Sequence, residues 1–253
     1  YAMQGIIHIH STNAAVVLML RVRGLLKSFN MSNSYSNACL NCTLIYDMPY
    51  INVKCNNLCT GIDLMSMASD ILQPEGDDTA RISWNLRRVI TQYQETFSVI
   101  EKCPKPVIVA IHGACIGAGV DLITACDIRL CTQDAWFQVK EVDIGLAADD
   151  GTLQRLPSVI GSRSLVNELA FSARKMYADE AKSCGLVSRV FPDKETMMAG
   201  ALEMAGDIAR KSPVAVQGTK INLIYSRDHS VPEALNYIVR TELSKVKRYK
   251  LTK

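Results

Sequence analysis

Three acidic residues and a glycine-rich turn are the parts of this sequence best suited to chemistry. Asp121 follows closely after Gly117 and Ala118, and Glu141 and Asp149 come further along the same stretch. Carboxyl groups held beside a substrate transfer protons. Backbone N–H groups at the start of a helix are unpaired and carry partial positive charge, so they can stabilise an oxyanion. The combination predicts acid–base chemistry beside a carbonyl oxygen that becomes negative.

An oxyanion site needs a second N–H donor, and Gly61 and Ile62 stand at a similar strand exit. A competing interpretation is dinucleotide binding, in which a glycine-rich turn holds a pyrophosphate. The sequence departs from that pattern, because Leu122 stands where the third glycine belongs. In addition, Asp121 would place a negative charge next to the phosphates. We therefore favour the oxyanion interpretation.

Each of these acids also has a purely structural interpretation. Asp121 alone could cap a helix, Glu141 alone could be a surface residue, and Asp149 could belong to a turn. Their joint occurrence with the two oxyanion turns favours a site. His112 and His229 are predicted to be packed or hydrogen-bonded rather than catalytic.

The elements that must position these residues are predicted from hydrophobic periodicity. Residues 80–102 have the spacing of an amphipathic helix, which the following prolines end. Residues 107–111 form a continuous apolar run, typical of a buried parallel strand. Other strands are predicted near residues 6–7, 14–20, 25–26, 44–46, 50–54, 128–131 and 136–139, and helices at 120–126, 164–172, 178–183, 194–211, 213–225 and from 232 onward. This alternation predicts an α/β fold with a helical C-terminal part.

Composition excludes several classes of protein. The 253 residues are 48% hydrophobic, which is enough for a substantial core. The net charge is only +3, and no basic stripe is interleaved with aromatics, so nucleic-acid binding is not expected. The apolar run at residues 14–20 is far shorter than the roughly 20 residues that cross a bilayer. No membrane span is expected.

Nine cysteines raise the question of metals and disulfides. Cys39-x-x-Cys42 and Cys55-x-x-x-Cys59 resemble a zinc ribbon only loosely, and no turn glycines surround them. The other cysteines lie mostly among apolar residues, as at Cys115 and Cys126, where a free thiol packs as a small hydrophobe. We therefore expect no metal site, free thiols and a reducing compartment.

Several stretches resemble the signature of the enoyl-coenzyme A hydratase/isomerase (crotonase) superfamily. They are KPVIVAIHGACIGAG at 105–119, DLITACDIR at 121–129 and FQVKEVDIGL at 137–146. The resemblance narrows to the Δ3,5-Δ2,4-dienoyl-coenzyme A isomerases through GIDLM at 61–65, MASDILQP at 67–74, GLAAD at 145–149 and YSRDHS at 225–230. It runs from about residue 60 to about residue 237, whereas residues 1–50 lack the family's Asn-Arg-Pro segment.

The resemblance implies that the backbone N–H groups of Ile62 and Ala118, next to Gly61 and Gly117, form the oxyanion hole. The family usually has glycine at the second of these donor positions. Alanine keeps the N–H, so Ala118 retains the donor.

The resemblance also implies the roles of the acids. Asp121 and Glu141 occupy positions that are both glutamate in hydratases, and Asp149 is the addition that marks a dienoyl isomerase. Moving a 3,5-diene to a 2,4-diene removes a proton at carbon 2 and returns one at carbon 6. We assign Asp149 to carbon 2 and Glu141 to carbon 6, with Asp121 orienting or tuning Glu141. Asp150 stands where the family has an apolar residue.

By resemblance, the fold is the crotonase-like α/β fold of repeated ββα units in two roughly perpendicular sheets. Residues 1–195 would form the core, with residues 1–50 atypical, and residues 196–253 a helical trimerisation region. Homo-trimers that pair into hexamers are expected. The expected location is the mitochondrial matrix. The peroxisome is the alternative, although Leu-Thr-Lys at the end is not a Ser-Lys-Leu address.

The implied activity is isomerisation of 3,5-dienoyl-coenzyme A to the 2,4 form in unsaturated fatty-acid β-oxidation. The partner is the acyl-coenzyme A thioester itself, and no cofactor is expected, because coenzyme A is part of the substrate. Two alternatives stay open. One is hydration of 2-enoyl-coenzyme A, which the aspartate at position 121 disfavours. The other is a catalytically weak acyl-coenzyme A-binding member of the family.

Overall fold

The computed structural model describes residues 6–11, 16–21 and 76–251 of the chain, and side chains from residue 76 to 241. The cysteines of the loose zinc-ribbon pattern and the predicted strands at 25–26, 44–46 and 50–54 lie outside these residues. Among the helices of the described ranges, none is long and apolar enough to cross a membrane.

Strands and helices alternate along the described chain. The strands are β1 (Ile6–Ser11), β2 (Val16–Arg21), β3 (Val107–Ile111), β4 (Ala114–Ile116), β5 (Ile128–Thr132), β6 (Trp136–Gln138), β7 (Met176–Tyr177) and β8 (Arg189–Phe191). The helices are α1 (Thr79–Lys102), α2 (Ala118–Ala125), α3 (Thr152–Ile160), α4 (Arg163–Ser172), α5 (Ala178–Ser183), α6 (Lys194–Ala209), α7 (Pro213–Tyr225) and α8 (Val231–Leu251). A 3-10 helix, Glu141–Ile144, follows β6.

The strands form two sheets. The larger has the order β1-β2-β3-β5-β8 and is parallel except for the antiparallel pair β1–β2. The smaller has the order β4-β6-β7, in which β4 and β6 are parallel and β7 is antiparallel to β6. The predicted α/β architecture is confirmed. The strand β4 was not predicted, because three residues between Gly113 and Gly117 carry too little periodicity to separate a strand from a turn.

The core lies on both faces of β3, whose five residues are all buried. Because strand side chains alternate, Ile108 and Ala110 pack on one face with Met197, Ala201 and Ala205 of α6. Val109 and Ile111 point to the other face, where they join the main cluster with residues of α2 and α3. A strand covered on both faces needs an unbroken apolar run, and this confirms the prediction for residues 107–111.

Helix α1 confirms the prediction for residues 80–102. It starts at Thr79, where the carboxylate of Asp78 accepts the N–H of Arg81, and it ends ahead of Pro104. Helix α3 was not predicted, because Pro157 lies inside it and an interior proline normally ends a helix.

Cysteine side chains pack in the core, as the sequence predicted. Cys115 and Cys126 are both buried. Burial raises the pKa of the Cys126 thiol to about 12. Because the thiolate is the reactive form, this thiol is a packing group.

A buried ion pair anchors α7 to the start of β3. Nζ of Lys220 lies 2.6 Å from Oδ2 of Asp127 and donates to the carbonyl oxygen of Lys105 at 3.0 Å. The same Asp127 oxygen accepts the N–H of Val107 at 2.7 Å. The Lys220 side chain is only 4% exposed, so its charge depends on these partners.

Replacing Lys220 with methionine is expected to lower the free energy of unfolding by about 3 kcal/mol. The change keeps the volume but leaves Asp127 without its cation, and breaking a buried pair in this way costs about 3–5 kcal/mol. Chemical denaturation measures the change, with the exposed Lys211→Met as control. Equal stability of the two variants would contradict the anchoring role.

Candidate active site

The turn between β4 and α2 presents a buried backbone donor. Gly117 adopts a φ of 53°, which glycine tolerates without strain, and its N–H donates to the carbonyl oxygen of Gln138 at 3.0 Å. The next residue, Ala118, opens α2 and is 3% exposed. Within the described part of the chain, no acceptor receives the Ala118 N–H. A buried unpaired N–H at a helix start is suited to binding an oxyanion.

Asp121 lies in the first turn of α2 and is almost fully buried. Its Oδ1 accepts the backbone N–H of Thr152, the first residue of α3, at 2.6 Å. Gly151 precedes that helix and has no side chain to cap it, so a carboxylate from α2 takes this role. Asp121 therefore caps α3 rather than its own helix. Burial raises the pKa of Asp121 despite the hydrogen bond from Thr152.

Glu141 is the first residue of the 3-10 helix and is partly buried. Its Oε2 is buried and has no hydrogen-bond partner among the described residues. Burial raises the pKa of Glu141, and the charges of Asp121 and Asp149 raise it further. A raised pKa is what a carboxyl group needs in order to donate a proton near neutral pH.

Asp149 lies in the irregular segment 145–151 that joins the 3-10 helix to α3, and it is exposed. Its backbone carbonyl oxygen accepts a hydrogen bond from Nε2 of Gln94 on α1, at 2.7 Å. The charge of Asp149 contributes to the raised pKa values of both Asp121 and Glu141. The structure therefore brings together the three acids that the sequence singled out.

A fourth carboxyl group joins the three. Asp150 is 7% exposed, and burial followed by the charges of Asp121, Asp149 and Glu141 raises its pKa to about 7. The sequence marked this residue only as a departure from the family. Hydrogen bonds from Gln94 of α1 and Arg155 of α3 to backbone oxygens hold the segment that carries Asp150, and the sequence contains no signal for these contacts.

The other predicted site residues have different outcomes. Gly61 and Ile62 lie outside the described residues, so the second N–H donor stays a prediction. His112 is buried. Nδ1 of His229 lies 2.7 Å from the carbonyl oxygen of Tyr225, which is hydrogen-bond distance. The His229 ring also stacks on the ring of Tyr225. The predicted hydrogen-bonded role of His229 is confirmed. Within residues 76–241, the histidine, cysteine and acidic side chains form no group that could hold a metal ion.

The geometry supports one kind of chemistry. A buried backbone donor opens α2, an acid with a raised pKa opens the 3-10 helix, and an exposed acid stands in the segment before α3. A substrate carbonyl bound at Ala118 would have proton-transferring groups near it. This is the arrangement expected for enolisation chemistry.

Comparison with known proteins shows which family the chain resembles. The enoyl-CoA hydratase/isomerase profile matches residues 57–243. A Homo sapiens protein named Delta(3,5)-Delta(2,4)-dienoyl-CoA isomerase, mitochondrial, is 72% identical over 193 residues, which are 76% of this chain and 59% of that protein. An Arabidopsis thaliana protein of the same name, designated peroxisomal, is 52% identical over 183 residues, 72% of this chain and 66% of that protein. The chain thus spans 59% of the length of the human relative.

Solved structures with the same fold were also found. The crystal structure of enoyl-CoA hydratase from Bacillus anthracis superposes with a TM-score of 0.74 at 24% identity, covering 98% of this chain and 96% of that chain. That likeness confirms the predicted crotonase-like fold. Together with the profile match over residues 57–243, it identifies the chain as a member of the enoyl-CoA hydratase/isomerase family.

Proposed function

We propose that the chain isomerises 3,5-dienoyl-coenzyme A to 2,4-dienoyl-coenzyme A during the oxidation of unsaturated fatty acids. The observation that carries the proposal is that Asp121 accepts the N–H of Thr152, three residues after Asp149. The charges of Asp121 and Asp149 also act on Glu141. An isomerase that moves protons at two distant carbons needs two acid–base groups. Relatives 70–74% identical to the chain are named for this reaction.

The first step removes a proton from carbon 2. Asp149 takes this proton, and the electrons of the C–H bond pass into the thioester carbonyl to form an enolate that is conjugated with both double bonds of the diene. The N–H of Ala118 stabilises the negative oxygen, with the N–H of Ile62 as the second donor. Because Asp149 is exposed, it can pass the proton on to solvent.

The second step returns a proton to carbon 6. Glu141 donates it, the carbonyl re-forms, and the double bonds move to carbons 2–3 and 4–5. Burial, together with the charges of Asp121 and Asp149, raises the pKa of Glu141, which favours the protonated form that donates. The substrate loses one proton and gains one proton, with no net oxidation or reduction, so the reaction needs no redox cofactor.

Asp121 supports these two acids in the proposed mechanism. Its hydrogen bond to the N–H of Thr152 fixes the start of α3 and hence the end of the segment that carries Asp149. Its charge also contributes to the raised pKa of Glu141. Asp121 thereby both orients and tunes the proton-transferring groups.

The proposed location is the mitochondrial matrix, because the mammalian relatives are named mitochondrial. The Arabidopsis thaliana relative is named peroxisomal, which keeps the peroxisome as the alternative. Trimers that pair into hexamers are also proposed, with residues 196–253 as the contact region. The exposed apolar residues Leu223 on α7 and Val231 and Leu235 on α8 support such a contact.

One assay separates the candidate activities. The chain is incubated with a 3,5-dienoyl-coenzyme A and, separately, with a 2-enoyl-coenzyme A, and ultraviolet spectra are recorded. A conjugated 2,4-diene absorbs where the 3,5-diene does not, so we expect this absorbance to grow with the first substrate. Loss of the 2-enoyl absorbance without diene formation would instead indicate a hydratase. Binding without turnover of either substrate would indicate an acyl-coenzyme A-binding protein.

A further inference from the structure

The segment that carries Asp149 has no regular structure of its own. Residues 146–149 belong to neither a helix nor a strand, and the segment reaches α3 only at Thr152. Proton transfer requires a base to be held within about 0.5 Å of its productive position. Contacts from neighbouring elements must therefore set the position of Asp149.

The first such contact comes from α1. Nε2 of Gln94 donates to the backbone carbonyl oxygen of Asp149 at 2.7 Å, across 55 residues of sequence. Gln94 is an exposed residue in the middle of a 24-residue helix. Its hydrogen bond therefore ties the backbone of Asp149 to a rigid element. The bond goes to the backbone, and the Asp149 carboxylate is left available for chemistry.

The second contact comes from Arg155 in the first part of α3. Its guanidinium donates to the carbonyl oxygen of Asp150 at 3.4 Å and to Oγ of Ser98 on α1 at 3.0 Å. Nε of Arg155 also lies 3.4 Å from Oε2 of Glu101 on α1. The Arg155 side chain is 13% exposed, so these contacts hold it against both the segment and the helix.

Gly151 makes this second contact possible. A Cβ atom at that position would lie 1.8 Å from Nη1 of Arg155, and the backbone φ is +126°. Any other residue would displace the guanidinium and strain the turn. The close approach of Arg155 to the segment is therefore built into the backbone.

We propose that Gln94 and Arg155 are positioning residues that hold Asp149 against α1 for proton transfer at carbon 2. We name the four residues Gln94, Ser98, Glu101 and Arg155 the α1 clamp. The proposal rests on the proposed function, because it concerns the base of that reaction. Glu101 of the clamp also pairs with Arg227 in the turn after α7, which connects the YSRDHS motif to the site.

The test compares Gln94→Ala with Gln92→Ala in the full chain. Gln92 lies on the same helix, is also exposed and undergoes the same side-chain change. We expect Gln94→Ala to lower kcat for 2,4-diene formation about tenfold and to change KM less than about twofold, since a small displacement of a catalytic group slows chemistry more than binding. Gln92→Ala should match the wild type, and both variants should unfold at the same temperature.

Arg155→Lys provides a second measurement. Lysine keeps the positive charge but cannot contact Asp150, Ser98 and Glu101 together, so kcat should again fall while KM is kept. A kcat for Gln94→Ala within twofold of the wild type would overturn the proposal. So would a parallel change in kcat, KM and unfolding temperature, which indicates a structural role only. Absence of diene formation by the wild-type chain would instead contradict the proposed function.

Discussion

Replacing Glu141 with glutamine is expected to lower kcat for 2,4-dienoyl-coenzyme A formation by roughly 100- to 10,000-fold, the usual contribution of a positioned acid or base. Glutamine matches the size of glutamate but cannot donate a proton to carbon 6. The Glu141 Oε2 atom is buried and has no partner among the described residues, so no structural hydrogen bond there is lost. Steady-state kinetics on a 3,5-dienoyl substrate measure the effect.

The exposed Glu203 on α6 provides the matched control for this change. Glu203→Gln alters the net charge equally, at a position away from the four carboxyl groups. Its kcat should equal that of the wild type. A Glu141→Gln variant that forms diene as fast as this control would remove Glu141 from the mechanism.

Replacing Asp150 with asparagine is expected to stabilise the chain by as much as about 4 kcal/mol above pH 7, from a pKa difference of about three units at 1.36 kcal/mol each. The pKa of Asp150 is raised from 3.8 to about 7 by burial and by three neighbouring carboxyl groups. The folded chain therefore binds a proton that the unfolded chain has lost. The stabilisation of the folded chain by this bound proton is fully present below about pH 4 and is lost as the pH rises through 7.

The variant lacks this titration, so its advantage over the wild type should grow with pH. We expect nearly equal free energies of unfolding at pH 4 and the largest gap at pH 8. Asp77→Asn, at an exposed aspartate, should show no comparable gap. A constant difference between Asp150→Asn and the wild type at both pH values would show that Asp150 does not hold this proton.

Much of the fold was predictable because its signals are local. The unbroken apolar run of β3 and the helical spacing of α1 depend only on which faces are buried. Helix α3 was not predictable, because Pro157 opposes it locally and its first N–H is capped by a residue 31 positions earlier. Such a contact exists only once the chain has folded.

The candidate site likewise has a part to which the sequence pointed and a part that only the folded structure reveals. Residue types, spacing and the family resemblance together singled out Asp121, Glu141 and Asp149, whose roles in proton transfer stay predictions. The support of Asp149 by Gln94 was not predictable, since an exposed glutamine on a helix has no distinguishing pattern. The burial of Asp150 was likewise hidden, because a neighbour of an exposed residue in an irregular segment can point either way.

The division of labour between the two acids can be measured by deuterium exchange at carbon 2. A 3,5-dienoyl-coenzyme A is incubated in deuterium oxide with Glu141→Gln or with Asp149→Asn, and recovered substrate is examined by nuclear magnetic resonance. Neither variant should form the 2,4-diene product at the wild-type rate. If Asp149 removes the carbon 2 proton, Glu141→Gln will still label carbon 2, while Asp149→Asn will leave it unlabelled. Labelling by Asp149→Asn but not by Glu141→Gln would contradict the assignment.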